Sequence, residues 1–227
     1  MHNNLICIIP IRSGSQTIKN KNIINIKKKP LIYYTLNKAI KSRIFKYIII
    51  STDSQYYINK IKKLKIDKKN IIFHLRSKKN STSVSSTESV IQEVLEYYKE
   101  IFSNKTTINL IQATSPLIHS SDLIKANKKF VAQNFDSLFS CYLTKNFFWK
   151  KKKKLISLNY NYKNRPRRQE MKEEYFAENG AFYIFKFKGF IKHKNRLFDK
   201  IGFFKMSKYR SFEIDDYEDL DLIKSII

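Results

Sequence analysis

Three short segments of this 227-residue chain carry side chains whose types and spacing suit phosphates, a base or sugar, and a hard cation. The first is RSGSQTIKNKN, which begins at Arg12 and contains Lys19, Lys21 and Asn22. A loop with one glycine among serines and cations can present backbone N–H groups and positive charge to phosphates. It lacks the Gly-x-x-x-x-Gly-Lys-Ser/Thr spacing of a P-loop, and a plain polar turn is the alternative reading. The second is Gln112-Ala-Thr-Ser-Pro, an amide and two hydroxyls suited to hydrogen bonds with a base or sugar. The third is Glu213-Ile-Asp215-Asp216. On a strand, Glu213 and Asp215 would face the same side and could share one hard cation. Asp216 reads more simply as a helix N-cap.

Each segment follows an apolar run of the kind that forms a buried strand, and in an open parallel sheet ligands bind beyond the carboxyl ends of the strands. Leu5 to Ile11 is the first such run, followed by a helix from Pro30 to Lys41 with Leu31, Tyr34, Thr35, Leu36 and Ala39 at helical spacing. Lys46 to Ser51 predicts a second strand with STDS as its exit loop, residues 54 to 64 a helix, and Ile71 to His74 a third strand. The polar loop RSKKNSTSVSST leads into a helix with Val90, Ile91, Val94, Leu95 and Tyr98 on one face, and Ser85 with Glu88 reads as its capping box. Strand Thr107 to Gln112, a helix from about Ser121 to Asn134 and strand Asp136 to Tyr142 come next. This alternation predicts an α/β fold, a mostly parallel sheet with helices on both faces, as one domain over residues 1–227. The rhythm breaks between Thr144 and Glu178, too long for an ordinary loop and therefore an insertion with its own task. Gly180 to Lys186, Phe203 to Met206 and Phe212 to Asp215 read as later strands, and a closing helix carries Leu220, Ile223 and Ile226.

Composition narrows the class further. A formal charge of +26 points towards nucleic acid, but the lysines are spread along the whole chain and Lys150 to Lys154 reads as a solvated loop. No RNA- or DNA-binding module is recognisable, and the aromatics lie in core-like strands. A basic protein of this kind could instead favour anionic small molecules. Cys7 and Cys141 sit in apolar runs and read as buried reduced thiols. His2, His74, His119 and His193 show no metal-ligand spacing. No apolar run approaches the roughly 18 residues of a membrane span, and the opening LICIIPI is short for a secretory signal, so a cytoplasmic location is expected. With only four glycines, turns are expected to fall to asparagine, serine and aspartate.

IIPIRSGSQTIKNKNI, IIISTDS, LIQATSPL, RPRRQ, ENGAFYIF and FEID, in that order, resemble the acylneuraminate cytidylyltransferase family, the CMP-sialic acid synthetases. The resemblance runs from the first strand to the last helix, and the order and spacing of six motifs make it more specific than any one of them. It implies a Rossmann-like nucleotidyltransferase sheet with residues 144–178 as a dimerisation insertion, hence a homodimer. It also implies a reaction in which the anomeric hydroxyl of a sialic-type nonulosonic acid attacks the α-phosphate of CTP and pyrophosphate leaves. Arg12, Ser15, Lys21 and Asn22 match residues that hold the nucleotide and its phosphates, Arg76 an arginine near the cytosine, and Thr87 a serine of the following helix start. Gln112 matches a glutamine on the sugar. Arg165, Arg168 and Gln169 match the insertion motif that reaches the partner subunit's site. Asp215 matches a metal-binding aspartate and Glu213 stands where another is usual, so Mg2+ is the implied cofactor. Arg12, Lys21 and Asp215 are the implied catalytic set.

The chain departs from the family pattern at several places. Gln16 stands for a lysine that approaches the triphosphate, and Ile11, Lys19 and Asn20 replace the usual alanine, proline and arginine. Ile118 stands for an arginine and Ser83 for an aspartate. Three other readings stay open: a Kdo-type cytidylyltransferase, a catalytically impaired relative for which Gln16 is the best sign, and a basic nucleic-acid-binding protein.

Overall fold

The computed structural model describes residues 4–227, so His2 lies outside the described residues. In chain order the strands are β1 (Leu5–Ile11), β2 (Asn25–Ile26), β3 (Lys29–Pro30), β4 (Tyr47–Thr52), β5 (Ile71–Leu75), β6 (Thr107–Ile111), β7 (Ser137–Thr144), β8 (Trp149–Lys151), β9 (Leu155–Ser157), β10 (Tyr175–Lys186) and β11 (Ile201–Lys205). The helices are α1 (Leu31–Ser42), α2 (Gln55–Lys62), α3 (Thr87–Tyr97), α4 (Ser120–Ala132), α5 (Phe187–His193) and α6 (Tyr217–Ile226). Seven strands form one sheet in the order β11-β7-β10-β6-β1-β4-β5. Every pairing in it is parallel except the two that β10 makes with β6 and β7. The mostly parallel sheet expected from the alternation is therefore present.

Alternation along β1 shows why both faces must be covered. Cys7, Ile9 and Ile11 point into one core with Ile32 and Leu36 of α1, Tyr57 of α2 and Leu123 of α4. Ile6 and Ile8 point into the opposite core with Ile91, Val94 and Leu95 of α3 and Phe190 of α5. A strand buried on both faces reads as a continuous β-branched run, which is how LICIIPI and YIIIS appear in the sequence. A third, smaller core of Ile18, Ile26, Leu31, Ile214, Leu220 and Ile223 ties the first loop to α6. Burying each such side chain contributes roughly 1.5–3 kcal/mol, so the loop bearing Arg12 and Lys21 is anchored by packing through Ile18 and Ile23. Both cysteines are free and buried, as expected.

The structure corrects several local expectations. The insertion is shorter than 144–178, because Thr144 ends β7 and β10 already begins at Tyr175. What remains, residues 145–174, holds the β8–β9 hairpin and two 3-10 turns. Helix α3 is capped by Ser86, whose hydroxyl accepts from the Ser89 N–H at 3.1 Å. Ser85 donates to the Lys79 carbonyl instead, and Glu88 pairs with Arg196 at 3.2 Å, so no capping box forms between Ser85 and Glu88. Phe212 to Asp215 is not a strand; the segment is extended and held by the Ile214 N–H donating to the Thr114 carbonyl at 2.9 Å. Left-handed backbone occurs at Asn20, Asn134 and Asp199 as the glycine shortage suggested, but also at Lys27, Lys28, Arg43 and Lys194, and at no described serine.

Candidate functional site

The carboxyl ends of β1, β5 and β6 open onto one cleft of about 210 Å³, lined among others by Pro10, Arg12, Arg76, Thr82, Thr87 and Gln112. Arg12 leaves β1, Arg76 leaves β5, Gln112 leaves β6 and Thr87 opens α3. Four residues singled out in the sequence at wide separation are thus brought together at one place, by parallel strands whose registers place their ends side by side. The Arg12 guanidinium crosses the cleft and donates to the Thr82 carbonyl at 2.7 Å. Arg76 is held from behind, donating to the Ser51 hydroxyl at 3.0 Å and the Ser51 carbonyl at 2.9 Å. Burial brings Arg76 down to about 10, with Asp53 and Glu93 opposing that shift and Arg12 adding to it. A cleft flanked by two forked cations is suited to an anion.

The first loop owes its shape to contacts not foreseen from sequence. Asp53, in the STDS exit loop of β4, accepts from the Ser13 backbone N–H and the Ser13 hydroxyl, each at 2.8 Å. Asn22 is buried and donates to the Arg12 carbonyl at 2.9 Å, so its amide is committed to the loop itself. Ser15 closes a tight turn on the Ser13 carbonyl and does not line the cleft. The sequence signal for Asp53 was its position directly after a parallel strand, at the same sheet end as the cleft.

A second cluster lies where the first loop meets the segment before α6. Lys21 donates to the Ile214 carbonyl at 2.7 Å and to Asp215 Oδ1 at 3.2 Å. Glu213 Oε1 accepts from the Thr114 hydroxyl at 2.6 Å. Burial raises the Glu213 carboxyl above its ordinary range, the Thr114 hydrogen bond opposes this, and the charge of Asp215 raises it further against Lys21. Gly180 backs onto the same carboxylate: its φ is +64°, and a Cβ there would stand 2.9 Å from Glu213 Oε2. Asp216 caps α6, accepting from the Asp219 N–H at 2.9 Å, as the sequence suggested. Of the QATSP hydroxyls, Thr114 is committed to Glu213 and the Ser115 hydroxyl is buried without a partner among the described residues. Gln112 alone of the three expected polar side chains faces the cleft.

Glu213 and Asp215 do not lie on one strand face; Ile214 between them is buried and their carboxylates turn to different partners. The charge of Asp215 nevertheless adds to what burial does to Glu213, and a hard divalent cation relieves repulsion between carboxylates. No group of three or more acidic, histidine or cysteine side chains that could hold a metal occurs among the described residues. Magnesium is ordinarily held by one or two carboxylates with phosphate and water completing its shell, so the two donors present fit it.

Arg165, Arg168 and Gln169 are not among the residues lining the cleft. They lie in the insertion, where Arg165 stacks over the Phe147 ring at 4.4 Å and Arg168 opens a 3-10 turn ending at Glu170. The same insertion exposes Trp149, Leu155, Ile156, Leu158 and Tyr162.

Comparison with known proteins adds an independent line. The family described as Cytidylyltransferase matches residues 6–226. The chain is 32% identical over 213 residues to N-acylneuraminate cytidylyltransferase A of Danio rerio, covering 92% of this chain and 47% of that protein. It therefore spans about half the length of that relative. Pseudaminic acid cytidylyltransferase of Campylobacter jejuni is 27% identical over 226 residues, which cover 96% of this chain and 94% of that protein. Among solved structures, CMP:2-keto-3-deoxy-manno-octonic acid synthetase complexed with CTP superposes with a TM-score of 0.69 at 14% identity, covering 98% of each chain. That likeness concerns the fold.

Proposed function

The chain belongs to the cytidylyltransferase family, and we propose that it transfers CMP from CTP to the anomeric hydroxyl of a sialic-type nonulosonic acid. The hydroxyl oxygen forms a new bond to the α-phosphorus, the α–β phosphoanhydride breaks, pyrophosphate leaves and the hydroxyl proton passes to solvent. The observation that carries this reading is the meeting of Arg12, Arg76, Thr87 and Gln112 around one narrow cleft at the strand ends. Relatives named for N-acylneuraminate and pseudaminic acid support the acidic-sugar class.

Phosphoryl transfer of this kind asks a protein for positioning and charge neutralisation more than for covalent help. In the proposed roles, Arg12 and Lys21 face the phosphates, with Ser15 and Asn22 shaping the loop that carries them. Arg76 and Thr87 border the cytosine, and Gln112 meets the sugar. Glu213 and Asp215 would hold Mg2+, which when bound neutralises charge developing on the phosphates. Lys21 keeps Asp215 oriented through their contact.

A homodimer is part of the proposal, with Arg165, Arg168 and Gln169 reaching the neighbour's cleft. Their absence from this chain's own cleft and the exposed apolar side chains of the insertion support it. No helix among the described residues is long and apolar enough to cross a membrane, and the cytoplasm, where CTP is made, is the proposed place of reaction.

The test is pyrophosphate release from CTP with a panel of nonulosonic acids and Kdo, and with ATP, GTP or UTP in place of CTP. Turnover is expected with CTP and a nine-carbon acid. Comparable turnover with a purine triphosphate would overturn the base assignment, and preference for Kdo would overturn the sugar assignment.

A further inference from the structure

We propose that Glu93, on the inner side of α3, is a positioning residue that sets one wall of the nucleotide cleft; the inference rests on the proposed binding of CTP there. The wall in question is the loop of residues 77–86 between β5 and α3, which contributes Thr82, Ser83 and Ser85 to the cleft. This loop has no strand or long helix of its own, only a short 3-10 turn at Lys78–Ser81. Something outside it must fix its path.

The Glu93 carboxylate does so with both oxygens. Oε1 accepts from the Ser77 backbone N–H at 2.7 Å and from the His74 Nε2 at 3.0 Å. Oε2 accepts from the Ser77 hydroxyl at 2.6 Å and from the Asn80 side-chain amide. A carboxylate offers about four lone-pair sites, and all four are filled by donors from the strand end and the loop. His74 is itself buried, with the Tyr97 and Tyr98 rings edge-on at 5.2 and 5.5 Å, so the acceptor is gripped from a rigid side. From this anchor the loop runs to Thr82, where the Arg12 guanidinium takes its carbonyl across the cleft. The wall is thus fixed at its root by Glu93 and at its rim by Arg12. Burial would push the Glu93 carboxyl up, but the hydrogen bonds from Ser77, Asn80 and His74 outweigh it and bring the group down to about 2.

A glutamine at 93 has the same size but replaces one acceptor oxygen by an NH2 group, which would face two donors. The loop must then shift or lose bonds, while the carboxylate cluster at Glu213 and Asp215 shares no residue with this network. The defect should therefore appear in nucleotide binding and not in the chemical step.

The experiment compares the wild type with Glu93→Gln, Ser77→Ala and the control Glu96→Gln, whose exposed carboxylate accepts from Gln92 one turn back on the same helix. Hydrogen–deuterium exchange of peptides covering 77–86 is measured with and without CTP, beside steady-state kinetics. In the wild type CTP is expected to slow exchange in this segment. In Glu93→Gln the segment should exchange about tenfold faster than in the wild type while the sheet strands do not, and KM for CTP should rise about tenfold with kcat within about threefold. Ser77→Ala should show the same pattern more weakly, and Glu96→Gln should match the wild type. Unchanged exchange and KM in Glu93→Gln, with CTP protection intact in the wild type, would overturn this inference alone, and so would faster exchange throughout the sheet, which marks a general loss of stability. If CTP protects nothing in the wild type, the nucleotide reading fails and the inference falls with it.

Discussion

Lys21 and Asp215 are 194 positions apart in the chain and 3.2 Å apart in space. The lysine is largely buried and also donates to the Ile214 carbonyl, whereas the aspartate is mostly exposed. An exposed ion pair alone contributes little. The buried carbonyl matters more, because removing its donor leaves it without a partner, at a cost of about 1–3 kcal/mol. Lys21→Ala is expected to lower kcat/KM for CTP at least about a hundredfold and to reduce stability by roughly that carbonyl cost. Steady-state kinetics and urea denaturation measure the two effects; a variant with full activity would remove Lys21 from the site.

Gly180 is required twice over, by its left-handed backbone and by the Glu213 carboxylate against it. Gly180→Ala is expected to cost about 1–3 kcal/mol and to displace Glu213, so turnover should fall more at low magnesium than at saturating magnesium. A magnesium titration of the variant decides this, and an unchanged magnesium dependence would separate Gly180 from the cation.

Stability should carry a signature of Glu93 at acid pH. Its carboxyl lies at about 2 in the fold against an ordinary value of 4.5. The folded-state value is depressed, so the stabilisation is fully present above about 4.5 and is lost as pH falls through that value towards 2. Glu93→Gln should therefore be less stable than the wild type at pH 6, and the gap should narrow by pH 3. Parallel denaturation midpoints at the two pH values would show that the carboxylate's charge is not what holds the loop.

The proposed exchange of insertions can be tested by complementation. Gln169→Ala and Asp215→Asn chains should each lose about a hundredfold or more in turnover when made alone. Purified mixed dimers should recover activity, because one of their two sites is intact. A monomer in solution, or mixed dimers as inactive as either parent, counts against the exchange.

The sequence carried the strands and most of the cleft for one physical reason. Strands buried on both faces are long β-branched runs, and the residue after each run lies at the ligand-binding end of the sheet. Arg12 and Gln112 were legible on that basis, with Arg76 and Thr87 added by family resemblance. Asp53 and Glu93 were not, because their importance lies in which loops they face, and that depends on packing between segments far apart in the chain. The same limit affected Glu213 and Asp215, whose spacing suggested a shared strand face where the chain runs as an extended segment pinned by Thr114. The spacing of Ser85 to Glu88 pointed to Ser85 as the cap, but it is the Ser86 hydroxyl that accepts from the Ser89 N–H. Left-handed lysines such as Lys27 and Lys28 carry no local signal at all.

The junction of Lys21 and Thr114 with the segment before α6 also has a temporal meaning. During synthesis, residues 12 to 112 leave the ribosome well ahead of Glu213, and a domain generally folds as a unit. The cleft residues Arg12, Arg76, Thr87 and Gln112 all lie in that earlier part, whereas the carboxylates and the α6 side of the third small core arrive only with residues 213 to 223. Contacts this distant in sequence form late and slowly, in the range associated with non-local topologies. A nascent chain can therefore complete the contacts of Lys21 and Thr114 only after residues 213 to 215 have emerged, so the junction is among the last parts of the molecule to form.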